Sequence, residues 1–86
     1  MYRVELSRDS KRFFNRANAS LQRRMDRCFD QLKIEPHEGG SIKPLTANLT
    51  GLYRYRVGDY RVIYRIDEQE KLVLVLKIAH RSEAYE

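Results

Sequence analysis

The chain has 86 residues and a formal net charge of +5 at pH 7, and 34% of its residues are charged. This length accommodates a single domain over residues 1–86, and the charge favours nucleic acid or an acidic protein as a partner over a membrane. No apolar run approaches the ~20 residues of a membrane span, and the first residues show no secretory signal. Cys28 is the only cysteine, which excludes a disulfide framework and a multi-cysteine zinc site. We expect a reduced, cytoplasmic protein without a metal or other cofactor.

The N-terminal part of the chain predicts one strand and two helices. Residues 2–6 alternate apolar and charged side chains, as a strand does. Ser7 is a suitable N-cap for a helix over residues 8–17, and Ser20 for a second helix that ends before Pro36. The second helix carries one apolar stripe, formed by Leu21, Met25, Cys28, Phe29 and Leu32. We expect this stripe, its thiol included, to be buried in the core.

Two segments flank the central part of the chain. Residues 41–51 predict irregular structure, because proline, asparagine and glycine interrupt any regular pattern. Within that segment Lys43 either joins a basic surface or is a solvated loop lysine, and three apolar residues are expected to cover the core: Ile42, Leu45 and Leu49. Residues 72–78 are almost continuously apolar, which predicts a central strand buried on both faces. The pattern leaves open which face Lys77 occupies.

The clearest pattern lies in residues 52–66, where apolar and basic side chains alternate on both sides of Gly58-Asp59. Alternation with a period of two predicts strands with two different faces. Gly-Asp between two such strands predicts a two-residue hairpin turn, because both residues tolerate a positive φ. This turn sets the register of the hairpin and places Arg56 directly opposite Arg61.

The predicted hairpin separates tyrosine and valine side chains from arginine side chains. We call the second surface the arginine face; it carries Arg54, Arg56, Arg61 and Arg65. Directly opposed like charges destabilise a sheet by roughly 0.2–1 kcal/mol, so an external anion explains this face better than folding does. The predicted fold is α+β, with two N-terminal helices packed on one face of a mainly antiparallel four-stranded sheet and the arginine face left open. Three strand residues are expected to join the core: Tyr55, Val62 and Leu74.

Several polar groups are predicted to converge near the hairpin turn, although no phosphate-binding loop, metal site or activated nucleophile is present. They are Arg54, Arg56, Arg61, His80, Arg81 and Tyr85. The planar guanidinium group of arginine presents paired N–H donors that match phosphate oxygens, and it stays charged. These properties suit the binding and stabilisation of a phosphodiester. Histidine ordinarily exchanges a proton near neutral pH, so His80 is the candidate for proton transfer and Arg81 the alternative. Tyr85 is suited to donating a hydrogen bond or stacking on a base.

The run YRYRVGDYRVIY, followed one strand later by HRSEAY, resembles the RelE/ParE superfamily of toxin–antitoxin toxins. The helical pair and the segment Lys43-Pro44-Leu45 fit as well, so the resemblance covers nearly the whole chain and is closest to the RelE branch. It implies a RelE-like fold, similar to that of microbial ribonucleases. It also implies a ribosome-dependent endoribonuclease that cleaves mRNA in the A site by attack of the message's own 2′-hydroxyl, which inhibits translation. The implied partners are a cognate antitoxin, the ribosome and mRNA.

The resemblance also implies roles for individual residues. The positions that match catalytic ones in the family are Arg56, Arg61, His80, Arg81 and Tyr85, and those implied to bind RNA are Lys43, Arg54 and Arg65. Many RelE proteins have lysines where this chain has Arg54 and Arg56, which argues against lysine-assisted proton transfer. Two alternatives stay open: a ParE-like inhibitor of DNA gyrase that cleaves no RNA, and a basic RNA-binding module without catalysis.

Overall fold

A computed structural model describes residues 1–84, which form two α-helices and one five-stranded sheet. The elements are β1 (Arg3–Leu6), α1 (Arg8–Arg16), α2 (Ala19–Ile34), β2 (Ile42–Pro44), β3 (Leu52–Val57), β4 (Tyr60–Asp67) and β5 (Leu72–His80), with a short 3₁₀ turn at Ala47–Leu49. The strand order is β1-β5-β4-β3-β2; β1 runs parallel to β5, and the other neighbours are antiparallel. Neither helix of this part of the chain is long and apolar enough to cross a membrane.

The predicted α+β class and the two helices on one sheet face are confirmed, but the predicted number of strands is wrong. The sheet has five strands rather than four within residues 1–84. Its pairing is mainly antiparallel, as predicted, but the parallel pairing of β1 with β5 makes the sheet mixed. The strand predicted over residues 2–6 is present as β1, so the two helices are the second and third elements of the chain rather than the first. The prediction missed β2 because it has only three residues and ends in Pro44, which an edge strand tolerates since its outer N–H needs no partner.

Local hydrogen bonds explain where the helices begin. The Ser7 hydroxyl accepts a hydrogen bond from the backbone N–H of Ser10 at 3.2 Å, which confirms Ser7 as the N-cap of α1. Ser20 is not the cap of α2. Asn18 has that role, because its side-chain oxygen accepts from the N–H of Leu21 at 2.8 Å. The connection between the helices is therefore shorter than predicted.

The core lies between α2 and the face of the sheet opposite the arginines, which we call the helix face. Leu21, the first residue of the predicted α2 stripe, is half-buried. The other four residues of the stripe are buried: Met25, Cys28, Phe29 and Leu32. They pack against Val57, Val62, Tyr64, Val73, Val75 and Ile78. Burial raises the pKa of the Cys28 thiol, as expected for a structural cysteine. Tyr55 is only half-buried, and Leu74 does not belong to this core because it lies opposite Arg65 on the other face.

A bulge in β5 decides which of its side chains face the helices. Ile63 pairs with Lys77, but the next residue of β4, Tyr64, pairs with Val75, so Leu76 is an extra residue in β5. This shift lets Val75 and Ile78 both face the helices. It also places Lys77 on the arginine face, opposite Ile63, which settles the position that the sequence left open.

The arginine face is not entirely open, because a small second apolar cluster covers its middle. Ile63 is only 6% exposed although it points away from the helices. It lines a depression of about 290 Å³ together with Leu45, Leu49, Leu52, Leu76, Lys77 and Ala84. The prediction that Leu45 and Leu49 cover the main core is therefore wrong, whereas Ile42 does pack against that core. This cluster divides the arginine face into two basic regions.

Candidate functional site

The β3–β4 hairpin has the register that its sequence predicts. Arg56 lies directly opposite Arg61, and Arg54 lies opposite Ile63. Gly58 in the turn has φ = +59°, a conformation that glycine adopts without steric cost. The tight turn therefore aligns the two strands so that their arginines share one face, which confirms the predicted arrangement.

Backbone carbonyls fix the directions of two of these arginines. The Arg61 guanidinium donates through Nη1 to the carbonyl oxygens of Gly58 at 2.9 Å and Tyr60 at 3.0 Å. The Arg54 guanidinium donates through Nη1 to the carbonyl oxygen of Ser41 at 2.9 Å. In each arginine these contacts use only one nitrogen of the guanidinium group, Nη1. Because arginine carries five N–H donors, several donors of each side chain remain for a ligand.

Three basic side chains line one depression on this face, with a volume of about 400 Å³. Lys43 and Arg54 are neighbours across the β2–β3 pair, and Arg61 comes from β4. The other lining residues carry no charge: Pro44, Leu45, Thr46 and Leu49. We call this region the basic depression. The short strand β2 thus places Lys43 in a basic surface rather than in a solvated loop.

Arg81 lies at the same end of the sheet, held by its backbone. Its N–H donates to the carbonyl oxygen of Asp59 at 2.7 Å, so the residue after β5 is attached to the hairpin turn. The chain then reverses, since the N–H of Glu83 donates to the carbonyl oxygen of His80 at 2.8 Å. The structure therefore brings the Arg81 backbone to the turn beside Arg61, as predicted from the order of the strands.

His80 reaches the same end of the sheet but on the other face. It pairs with Tyr60, a helix-face residue, whereas Ala79 pairs with Arg61. The rings of His80 and Tyr60 pack edge to face, with centroids 5.6 Å apart. The Nδ1 atom of His80 accepts from the backbone N–H of Ser82 at 3.2 Å, which leaves the proton of the neutral ring on Nε2. The structure therefore does not place the imidazole among the arginine side chains.

Two further predicted site residues lie apart from the basic depression. Arg65 is exposed on the arginine face between Leu52 and Leu74, four residues along β4 from Arg61. At ~3.3 Å per residue that separation is roughly 13 Å, and the apolar cluster around Ile63 lies between. Tyr85 lies outside the described residues.

The described carboxylates do not neutralise these basic side chains. Within residues 1–84, the ion pairs lie elsewhere on the molecule. None of them includes a predicted site residue, namely Lys43, Arg54, Arg56, Arg61, Arg65, His80 or Arg81. The side chains lining the basic depression carry only positive charge. Such a surface attracts an anion, and the forked guanidinium groups favour phosphate or carboxylate.

Comparison with known proteins identifies the family. A family model described as the ParE toxin of type II toxin–antitoxin systems matches residues 3–85. The chain belongs to this family. The superfamily membership predicted from the hairpin and the C-terminal motif is therefore confirmed.

Individual members of the superfamily are similar in sequence and in fold. The toxin RelG of Mycobacterium tuberculosis is 40% identical over 58 residues, which are 67% of this chain and 64% of that protein. The toxin RelE of the same organism is 46% identical over 57 residues, which are 66% of this chain and 57% of that protein. The crystal structure of the archaeal RelE–RelB complex from Pyrococcus horikoshii superposes with a TM-score of 0.81 and 32% identity, covering 96% of this chain and 98% of that chain. The chain thus has the RelE fold, and the aligned segments span less than two thirds of either curated toxin.

Arg24 is a basic residue near the hairpin that sequence analysis did not single out. A side-chain carbon on Gly58 would lie only 3.1 Å from the central carbon of the Arg24 guanidinium, which packs against the turn. Arg24 belongs to α2, so this family member has a cation on the helix side of the hairpin tip as well as on the arginine face. No local pattern could reveal the contact, since it joins residues that are distant in the sequence.

A second polar cluster lies at the other end of β4 and ties three segments together. His37 contacts Glu35 through Nδ1 at 3.0 Å and Glu68 through Nε2, and the Tyr2 hydroxyl donates to Glu68 at 2.7 Å. Partial burial lowers the pKa of His37, but hydrogen bonds and charge from the two carboxylates outweigh it and raise that pKa overall. The Lys71 ammonium lies 5.1 Å from the centre of the Tyr2 ring. This cluster is far from the basic depression and stabilises the fold.

Proposed function

We propose that this member of the toxin family is an endoribonuclease that cleaves mRNA in the ribosomal A site and so inhibits translation in the cytoplasm. The observation that carries the proposal is the basic depression, which Lys43, Arg54 and Arg61 line and which no acidic side chain of residues 1–84 lines. The similarity to toxins named RelE and RelG supports the same assignment. A phosphodiester backbone is the ligand that such a set of planar, permanently charged donors recognises best.

The proposed reaction is an intramolecular transfer at phosphorus. The 2′-hydroxyl oxygen of the message attacks the adjacent phosphorus and loses its proton, while the bond from phosphorus to the 5′-oxygen of the next nucleotide breaks. The products are a cyclic phosphate and the departing 5′-oxygen, which takes up a proton and becomes a 5′-hydroxyl. Because charge builds on the phosphoryl oxygens in the transition state, fixed cations accelerate the reaction without themselves exchanging protons.

The geometry supports a division of roles among the arginines. Arg56 and Arg61 lie side by side at the turn, and the Arg81 backbone is bonded to the same turn, so we assign these three to the scissile phosphate. Arg54 lies two residues along β3 from Arg56, with Lys43 beside it on β2, and the two would hold a neighbouring phosphate. This second pair should act more on RNA binding than on the chemical step.

The proton-transfer role stays with His80, with Arg81 as the alternative. The His80 ring lies on the helix face beside Tyr60, so the RNA would have to bend around the end of the sheet to reach both His80 and Arg61. The backbone of Arg81 is bonded to the hairpin turn beside the arginine face, but a guanidinium group is too weak an acid to donate a proton readily. We assign base stacking to Tyr85 and a peripheral contact with the RNA backbone to Arg65.

We also propose a cognate antitoxin as the protein partner. The archaeal relative with 32% identity was crystallised as a complex with RelB, and its chain superposes over nearly its whole length. A net charge of +5 and a basic depression that no acidic side chain of the described residues lines favour a partner segment that is acidic where it covers the arginines. Such a segment would inhibit by occupying the phosphate-binding groups.

One alternative has a specific observation in its favour. The matching family model is described as the ParE toxin. The resemblance to the ParE branch implies an inhibitor of DNA gyrase. A gyrase inhibitor would need a protein-binding surface and no phosphodiester chemistry. The concentration of arginines around one depression favours the endoribonuclease over this alternative.

Two assays on the wild-type protein decide between these functions. Purified protein is added to reconstituted translation, and the message is mapped by primer extension; in parallel, purified gyrase is tested for drug-like double-strand breaks in plasmid DNA. The endoribonuclease predicts cuts in step with codons on ribosome-bound message and intact plasmid. Gyrase-dependent DNA breaks with uncut message would establish the ParE-like function instead. Tight binding to ribosomes without either kind of cleavage would indicate an RNA-binding module.

A further inference from the structure

The solvent-facing side of α1 carries a row of four basic side chains and one amide that the proposed reaction does not use. The row has the helical spacing i, i+3, i+4, i+7 and i+8, and consists of Arg8, Lys11, Arg12, Asn15 and Arg16. All five are exposed, and together they line a shallow depression of about 500 Å³. We call this surface the α1 strip. It lies on the helix side of the sheet, opposite the arginine face.

Folding does not explain the strip. Arg8 and Arg12, and likewise Arg12 and Arg16, are four residues apart on one helix face, where like charges repel. Arg8 is also the first residue of the helix, where the backbone dipole disfavours a cation. Within residues 1–84, the strip has one ion pair, an exposed contact of 3.8 Å between Arg12 and Asp9. The strip therefore weakens the helix locally, and a ligand outside the protein accounts for it better.

The composition of the strip indicates the chemistry of that ligand. Its solvent side offers cations and one amide but no apolar side chain, whereas protein partners usually need aromatic or aliphatic anchors at the centre of an interface. Basic residues one helical turn apart repeat about every 6 Å along the axis. A row of separate cations without an apolar centre suits a polyanion whose charges also repeat along a line, as in a nucleic acid backbone.

The position of the strip relative to the proposed active face supports RNA in particular. Arg12 and Arg16 also line a second depression, of about 510 Å³, that extends to Phe13 and Tyr60. Tyr60 in turn contacts His80 at the hairpin end of the sheet. The strip thus leads along the helix layer towards the end of the molecule where the proposed cleavage site lies. A large RNA can contact both surfaces of the chain at once.

We propose that the α1 strip binds the phosphate backbone of folded RNA, namely ribosomal RNA, while the arginine face holds the message. The inference rests on the proposed function in taking the ribosome as the site of action. It adds a second RNA contact on the other side of the sheet, formed by residues outside the proposed cleavage site. The strip anchors the toxin, and its residues take no part in the chemical step.

The test compares two double variants that remove the same charge. Arg12→Gln/Arg16→Gln lies on the strip, and Arg23→Gln/Arg27→Gln removes two exposed arginines with the same spacing from α2, where acidic residues are interspersed. Binding to ribosomes that carry no message is measured by fluorescence anisotropy over a range of salt concentrations. Thermal unfolding checks that both variants are folded. A single-turnover cleavage assay at saturating protein measures the chemical step separately.

The strip variant should bind ribosomes about tenfold more weakly or worse, and the slope of log K against log salt should decrease by about 2. Its cleavage rate at saturation should match the wild type, and the α2 variant should bind almost normally. Equal loss in both variants, or in neither, would overturn the inference while wild-type cleavage of message still supported the proposed function. A strip variant that binds ribosomes normally but loses a co-expressed antitoxin would assign the strip to a protein partner and also overturn it.

Discussion

Arg56 and Arg61 lie directly opposite each other across the β3–β4 hairpin, and within residues 1–84 neither has a carboxylate partner in an ion pair. A sheet that only had to fold would gain by replacing one of them. Under the proposed function, this pair is retained because both arginines hold a phosphate.

Removing one of the opposed charges should stabilise the protein. Arg56→Gln is expected to raise the free energy of unfolding by roughly 0.2–1 kcal/mol at low salt, because it relieves a directly opposed like pair. High salt should reduce the gain by screening. Arg65→Gln is the matched control, since Arg65 lies between Leu52 and Leu74 rather than opposite a cation. Urea unfolding at two salt concentrations checks the result, and a loss of stability in Arg56→Gln would refute it.

The core on α2 can be tested with two aliphatic residues one half-turn apart. Leu32 is fully buried and Ile34 is 71% exposed, although both lie in the last turns of α2. Leu32→Ala should lower the free energy of unfolding by about 2–5 kcal/mol, because it removes buried methyl groups and leaves a cavity. Ile34→Ala should change it by less than about 0.5 kcal/mol. Similar losses in both variants would show that the buried face of α2 is wrongly placed.

Gly58 and Arg24 should be energetically coupled. Gly58→Ala costs about 1–2 kcal/mol from its positive φ alone, and the added carbon also requires the exposed Arg24 guanidinium to move off the turn. In an Arg24→Ala background only the backbone cost should remain. A double-mutant cycle from chemical denaturation measures the difference. Strict additivity of the two changes would contradict this coupling and show that displacing Arg24 from the turn has no measurable cost.

The His37 cluster predicts a pH dependence of stability. Because the pKa of His37 is raised above its ordinary 6.5 in the folded protein, its contribution is complete below that pH and is lost as the pH rises through the raised value. The Tyr2 hydrogen bond lowers the pKa of Glu68, so the contribution of Glu68 is present above its ordinary 4.5 and is lost as the pH falls further.

Stability should therefore decline on the alkaline side of pH 6.5 in the wild type, and this decline should be absent in His37→Gln. His80→Gln serves as the control, because its ring contacts no described carboxylate in an ion pair. Denaturant midpoints at several pH values provide the measurement. A decline of equal size in His37→Gln would assign the effect to other groups.

Much of the fold could be predicted because the relevant signals are local. The apolar stripe of α2 and the alternation around Gly58-Asp59 specified the buried helix face and the hairpin register correctly. The strand β2 could not be predicted, because three residues ending in a proline become a strand only through pairing with β3. The parallel pairing of β1 with β5 likewise depends on contacts across the whole chain.

The candidate site was predictable where it lies within the hairpin and not where it depends on other elements. The shared face of Arg56 and Arg61 followed from the two-residue period. The face of His80 did not, because the bulge at Leu76 shifts the register of β5 against β4 and no sequence signal announced it. The contact of Arg24 with the turn is tertiary and has no local signature.

The central claim is that Arg61 stabilises the scissile phosphate of ribosome-bound mRNA. The most direct measurement is the single-turnover rate of message cleavage at saturating protein, for the wild type, Arg61→Ala and the control Arg65→Ala, with thermal unfolding of each variant. We predict that Arg61→Ala remains folded and cleaves about 10²–10³-fold more slowly, as expected for loss of a transition-state contact, and that Arg65→Ala cleaves at nearly the wild-type rate. A folded Arg61→Ala variant that cleaves message at the wild-type rate would contradict the account.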